Sequence, residues 1–248
     1  MENTKLITTK TFDLNLTESM ETLRLGTDAL LLSAYIKASG NASALEIGAG
    51  NGSVSMLVAK RGCFKSIFAL EIQKELCEIM KANVLHNGFE GKISPVNADI
   101  RTVNPELYKG VSVIFSNPPY MREGCGKSSP ASSKQIARHE VYGGVADFCS
   151  AAAKILKTGG RLYLVYRPDR LETLMHALRS NGFSPKRMTF VHADCEHSPS
   201  SVLTESVLGG NEGLYVTRPL FLKENGRDTE DCGFIYENRV FPDSFFVK

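Results

Sequence analysis

Along this chain short apolar runs alternate with stretches whose apolar residues recur three and four positions apart, so strands and helices are predicted to take turns. Residues 42–47, 66–70, 93–96, 113–115 and 161–166 read as strands, the second closed by Glu71. Residues 54–61, 73–85, 145–156 and 169–181 read as helices. The helix over 73–85 has the clearest signal, with Leu76, Ile79, Met80 and Val84 on one face and Gly88 beyond it suited to a left-handed cap. A brief helical turn is expected around residues 104–108. Near the start, Phe12, Leu14 and Leu16 alternate with polar residues, which predicts a strand or hairpin within residues 1–25 laid against the main body. Thr27 or Asp28 is then expected to cap a helix that ends near Gly40.

After residue 182 the pattern changes. Residues 187–192 and 202–208 read as two strands with no helix between them, hence an antiparallel pair. Residues 121–135, rich in Gly, Ser and Lys, form a long polar connection of the kind that serves as a lid or binding surface. Residues 219–248 mix charge and aromatics and receive no assignment. Alternating strands and helices imply an α/β fold: a parallel sheet covered by helices on both faces, joined by right-handed crossovers. The two last strands imply one antiparallel insertion at an edge. The expectation is a single domain over residues 1–248.

Composition narrows the function classes. A formal charge of only +2 means that a nucleic-acid partner would have to be met by a local basic patch. The 6 cysteines show no C-x-x-C and no zinc-like spacing to histidine, so reduced thiols and no bound metal are expected. The first dozen residues lack a signal peptide's apolar core, and the longest apolar run, around residues 29–32, is far too short to cross a bilayer. A soluble, cytoplasmic protein is the expectation.

The chemistry concentrates where strands end. After Val113-Ile114-Phe115 the chain stops at Asn117-Pro118-Pro119-Tyr120, where two prolines bar both helix and ladder. Ligands of open α/β sheets bind at the carboxyl ends of strands. A rigid amide oxygen, a carbonyl and an aromatic ring there suit a flat heterocycle bearing an exocyclic NH2; the plain alternative is a Pro-Pro turn closed by a surface Tyr. Gly48-x-Gly50-x-Gly52 lies between a strand and a helix, permitting a tight turn and close ligand approach. Glu71, about 20 residues on, is placed to bind a ribose diol, and Asp99 to receive an adenine amino group. Their ordinary readings are a carboxylate at a helix start and a local turn.

As a whole the pattern resembles the class I S-adenosylmethionine-dependent methyltransferases. Leu45-Glu46-Ile47-Gly48-Ala49-Gly50-Asn51-Gly52 looks like their first motif and Asn117-Pro118-Pro119-Tyr120 like the motif of amino-group methylators. A Rossmann-like, seven-stranded, mostly parallel sheet with its last strand antiparallel is implied. Gly26-Thr27-Asp28-Ala29-Leu30-Leu31-Leu32 and Ala137-Arg138-His139-Glu140 extend the resemblance to the bacterial valine-tRNA adenine-N(6) methyltransferases, whose target adenine lies immediately 3′ of the anticodon. One departure is the acidic turn Ala193-Asp194-Cys195-Glu196-His197-Ser198-Pro199.

The resemblance implies S-adenosylmethionine bound by Thr27, Asp28, Glu46, Gly48, Gly50, Asn51, Gly52, Glu71, Ile72, Asp99, Ile100 and Asn117. It also implies catalysis by Asn117, Pro118 and Tyr120. Arg122, Lys127, Lys134 and Arg138 flank the motif and are candidates to meet tRNA phosphates; their plain reading is a solvated loop. Three rivals share these features: protein-glutamine methylation as in the release-factor enzymes, DNA or ribosomal-RNA adenine methylation, and a module that binds RNA or cofactor without turnover. The first carries an extra N-terminal helical domain, for which the roughly 40 residues before the first main strand are too few.

Overall fold

The structure is a computed structural model and describes residues 6–19, 26–118 and 143–247. It opens with an antiparallel hairpin, β1 (Leu6–Thr11) and β2 (Leu14–Ser19). Phe12 does not share a strand face with Leu14 and Leu16, as the alternation predicts. Phe12 and Asp13 form the turn itself, both left-handed at φ 52° and 57°. The unfavourable turn is held by neighbours: the Arg239 guanidinium lies 4.6 Å from the Phe12 ring centroid, and Lys60 pairs with Asp13 at 3.4 Å.

Helix α1 (Thr27–Tyr35) follows. Neither Thr27 nor Asp28 caps it. Gly26 takes the extended cap position, its carbonyl accepts from Ala29 and Leu30, and both predicted caps lie within the first turn. The helix also stops short of Gly40, because Ile36 swings to ψ 125°. Every residue from Ala29 to Tyr35 is buried, as befits a helix apolar on all sides.

The remaining order is β3 (Ser43–Ile47), α2 (Ser53–Lys60), β4 (Ser66–Glu71), α3 (Lys74–His86), β5 (Ile93–Asn97), a 3-10 turn at Pro105–Tyr108, β6 (Val111–Ser116), α4 (Val145–Ile155), β7 (Arg161–Tyr166), α5 (Leu171–Ser180), β8 (Phe183–His192) and β9 (Ser201–Leu208). These strands lie in the order β5-β4-β3-β6-β7-β9-β8. Six of these seven run in one direction, and β9 is antiparallel to both its neighbours. The antiparallel strand therefore sits inside the sheet, not at its edge, because β8 returns on its far side.

Alternate residues feed two cores. Phe115, Tyr163 and Val165 join α1 and α2 on one face, while Ile114, Leu162 and Leu164 join α4 and α5 on the other. With both faces covered, the strands read as continuous apolar runs.

The unassigned tail is ordered secondary structure: β10 (Tyr215–Val216) and β11 (Leu220–Phe221) pair with β8 and raise the sheet to nine strands. A small hairpin, β12 (Lys223–Glu224) and β13 (Arg227–Asp228), precedes α6 (Glu230–Asn238) and a 3-10 turn at Asp243–Phe246. The tail is pinned to the core by buried Leu220, Ile235 and Phe245. Arg187 adds to this, its guanidinium 3.9 Å from the Tyr35 ring centroid and 4.2 Å from that of Phe246. The same Arg187 pairs at 3.0 Å with Glu205, which also meets Arg161.

Candidate active site

Strand order reverses between β3 and β6, and the crevice at their carboxyl ends is where a ligand of such a sheet binds. The Ser116 hydroxyl donates to the Ile47 carbonyl at 2.6 Å, locking the two strand ends together. Asn117 and Pro118 follow directly from this end of β6, as the glycine turn follows from the end of β3.

That turn needs its glycines. Gly48, Gly50 and Gly52 all have left-handed backbone, at φ 70°, 56° and 83°. A Cβ on Gly52 would meet Met80 Cγ at 2.7 Å, whereas one on Gly50 would find no atom of the described residues within 4 Å. Packing therefore dictates Gly52, while Gly50 leaves room for a close approach. The turn is held by Ala49 N donating to the Leu70 carbonyl at 2.9 Å and Gly50 N donating to Glu71 Oε2 at 2.8 Å.

Glu71 ends β4, buried, with its other oxygen accepting from Gln73 N at 2.8 Å. Burial pushes its carboxyl upward, against the pull of these amide bonds. The Gln73 side chain and the Ile72 backbone N–H bond the same carboxylate, so a diol would take its place among these contacts by displacing or sharing one. Glu46 is placed differently: it is only 1% exposed, and Oε2 accepts from Ser55 N at 3.0 Å and from the Ser55 hydroxyl. It thus ties β3 to the first turn of α2 beneath the glycine turn. Burial raises its pKa to about 8. Asn51 is also engaged by protein, its side-chain oxygen accepting from Ser53 N at 3.2 Å.

Ile47, Gly48, Leu70, Ile72, Ala98, Asp99, Ile100 and Phe148 line a cleft. It unites four residues singled out from the sequence: Gly48, Ile72, Asp99 and Ile100. Asp99 is gripped by Arg101, whose Nε lies 2.9 and 3.0 Å from its two oxygens, and this pair holds the carboxyl below the usual range. Phe148, from the apolar face of α4, was not singled out; helical spacing marks it as buried but cannot place it against Gly48. Asn97 was also missed. Its amide donates to the Glu71 and Ile72 carbonyls at 2.8 and 3.0 Å, fixing the end of β4.

Thr27 and Asp28 start α1 at the same edge of the sheet. Thr27 bonds the Tyr236 hydroxyl, and Asp28 lies beside Ser201 with its carboxyl pushed up by burial. Tyr120, Arg122, Lys127, Lys134, Arg138, His139, Glu140 and the whole 121–135 connection lie outside the described residues. Among the described residues no cluster of His, Cys, Asp and Glu could hold a metal ion, and no helix is long and apolar enough to cross a membrane.

A glycine-rich turn, a ribose-type acid on the next strand and an apolar slot at the reversal of strand order define a class of nucleotide-cofactor domain. The chain belongs to the methyltransferase small domain family, whose model matches residues 19–181. A tRNA1(Val) (adenine(37)-N6)-methyltransferase of Phocaeicola vulgatus is 28% identical over 181 residues, which are 73% of this chain and 75% of that one. The enzyme of the same name from a Flavobacteriaceae bacterium is 26% identical over 204 residues, 82% of this chain and 84% of the other. Among solved structures, a predicted O-methyltransferase of Agrobacterium tumefaciens superposes with a TM-score of 0.70 at 21% identity, covering 87% of this chain and 98% of that one. The M. jannaschii tRNA m1G37 methyltransferase superposes with 0.55 at 20% identity, over 85% and 59% of the two chains. Both likenesses are of fold.

Proposed function

We propose that this methyltransferase-family chain takes its methyl group from S-adenosylmethionine and delivers it to the N6 amine of an adenine in tRNA. The adenine immediately 3′ of the anticodon of a valine tRNA is the substrate, in keeping with the names its relatives carry. The observation that supports the reading is the Ser116–Ile47 bond of 2.6 Å, which ties the strand end just before Asn117 and Pro118 to the strand end just before the glycine turn.

The residues present fit the cofactor: among the described residues Gly50 has open space where a side chain would stand, and the Glu71 carboxylate at the end of the next strand can bond a ribose diol in exchange for one of its local partners. Asp99 and the apolar walls Ile72, Ile100 and Phe148 suit an adenine ring. When bound, S-adenosylmethionine supplies an already activated methyl group. The chain's task is then mostly alignment.

Adenine's amine is a poor nucleophile because its lone pair is delocalised into the ring. In this reading the Asn117 side-chain oxygen and the Pro118 carbonyl accept its two hydrogens and localise that pair, and Tyr120 stacks on the base. Such stacking is worth about 1–3 kcal/mol. No general base is needed before attack, since the nitrogen becomes acidic as it is alkylated and then loses its proton. The target base must leave its stack, which costs little in an anticodon loop. Arg122, Lys127, Lys134 and Arg138 are placed by the sequence to meet the phosphates.

The test offers radiolabelled S-adenosylmethionine to bulk tRNA, ribosomal RNA, DNA and release factor. Label in tRNA supports the reading. Label in release factor alone, or in no acceptor while the cofactor still binds, overturns it.

A further inference from the structure

All of the N-terminal hairpin but its last residue, Ser19, lies outside the stretch matched by the methyltransferase family, yet it is wired into the glycine turn through one side chain. Asn83, in the last turn of α3, is 0% exposed. Its side-chain oxygen accepts from Thr17 N at 2.7 Å, and its amide nitrogen donates to the Thr17 carbonyl at 3.0 Å and the Asn51 carbonyl at 3.0 Å. One turn later Asn87 repeats half of this grip: its oxygen accepts from Asn15 N and its nitrogen donates to the Asn15 carbonyl, both at 2.9 Å. The two amides thus act toward β2 as a neighbouring strand would, bonding N–H and C=O of every second residue.

Asparagine is a poor residue for a helix interior, and a fully buried one must satisfy all its polar atoms. A residue that goes against helix propensity while giving both amide hydrogens and an oxygen lone pair to partners outside its helix points to a duty beyond the helix. The third bond identifies that duty. Gly50 N is held by Glu71, Gly52 N by the Ala49 carbonyl, and the carbonyl between them, that of Asn51, by Asn83. The peptide units that cradle a cofactor are therefore fixed from three sides, and one side is anchored on the hairpin.

The geometry points to Asn83 as a positioning residue for the cofactor, and to the hairpin over residues 6–19 as a working part of the cofactor site. The inference rests on the S-adenosylmethionine reading above. Hairpin docking and cofactor binding each favour the other, and by linkage the coupling is reciprocal.

Asn83→Asp tests it. The substitution keeps shape and the bond from Thr17 N but turns a carboxylate oxygen onto the Thr17 and Asn51 carbonyls. Calorimetry with S-adenosylhomocysteine is expected to show Kd raised roughly tenfold, within the usual range of coupling between sites. In turnover, KM for S-adenosylmethionine is expected to rise while KM for tRNA stays near its original value, a split that mere loss of stability does not produce. Asn87→Asp, which loosens the hairpin without touching the turn, is expected to raise Kd less. A second measurement uses the unaltered chain: with S-adenosylhomocysteine bound, hydrogen exchange is expected to slow in residues 14–19 as well as in residues 48–52.

Unchanged Kd in folded Asn83→Asp, or protection confined to residues 48–52, overturns the inference while leaving the cofactor reading intact. Failure of the unaltered protein to bind S-adenosylhomocysteine overturns the cofactor reading and the inference with it.

Discussion

Replacing Gly52 and Gly50 by alanine, one at a time, separates what the glycine turn owes to packing from what it owes to its ligand. At Gly52 two costs add. Its φ of 83° is left-handed, which costs a residue with a Cβ about 1–2 kcal/mol. The new Cβ would also stand 2.7 Å from Met80 Cγ, and Met80 is itself fully buried in α3. Overpacking of that kind costs about 1–3 kcal/mol, so Gly52→Ala is expected to lose about 2–5 kcal/mol. Gly50 shares the left-handed backbone at φ 56°, but its Cβ would meet no atom of the described residues within 4 Å, so the backbone cost of about 1–2 kcal/mol is the one that applies. Urea unfolding followed by circular dichroism measures both losses. Calorimetry with S-adenosylhomocysteine supplies the second axis: Gly50→Ala is expected to stay folded and weaken binding at least tenfold, because on the proposed cofactor reading its methyl would stand where the ligand passes. Equal stability losses for the two variants would refute the packing argument. Normal binding by Gly50→Ala would refute the close approach.

Two further predictions concern buried charge. Glu46 titrates at about 8 in the folded chain against the ordinary glutamate value of 4.5, so the unfolded chain gives up its proton first as pH rises. Its contribution is fully present below pH 4.5 and is lost progressively up to about 8, at a rate of about 1.4 kcal/mol per unit where only the unfolded form is ionised. Glu46→Gln is therefore expected to gain on the unaltered chain as urea titrations move from pH 5 to pH 8, and parallel curves would contradict this. Glu205→Ala strands the buried Arg187 guanidinium, 5% exposed, and is expected to cost about 3–5 kcal/mol by the same method; a loss below about 1 kcal/mol would show that Arg187 finds adequate partners elsewhere.

What could be read from the sequence was what local chemistry decides. Helix α3 ends where Gly88 adopts φ 70°, so its stop was visible; of its expected stripe Met80 and Val84 are buried and Leu76 and Ile79 half-buried, while Cys77 and Asn83 complete the buried face. The glycine turn, Glu71 and Asp99 follow from strand ends, and the fold brings Glu71 and Asp99 to one side of the sheet with Gly48. What could not be read depends on partners distant in the chain. Thr27 and Asp28 have the composition of caps, yet Gly26 takes that position and their side chains turn to Tyr236 and Ser201. The hairpin turn at Phe12-Asp13 has no Gly or Asn to announce it and is held by Arg239 and Lys60 from elsewhere. Strands of two residues, such as Tyr215–Val216 and Leu220–Phe221, carry no periodicity; only pairing with β8 makes them strands. The reach of Asn83 across to Asn51 and Thr17 likewise exists only in the folded chain.

The claim that Asn117 and Pro118 present an adenine amine to a methyl donor is tested most directly by nucleoside mass spectrometry. A valine tRNA lacking the modification is incubated with S-adenosylmethionine and either the unaltered protein or Asn117→Ala, then digested. The account predicts N6-methyladenosine immediately 3′ of the anticodon with the unaltered protein, and almost none with Asn117→Ala although that variant still binds S-adenosylhomocysteine. A methyl group on any other atom, or undiminished product from Asn117→Ala, would contradict it.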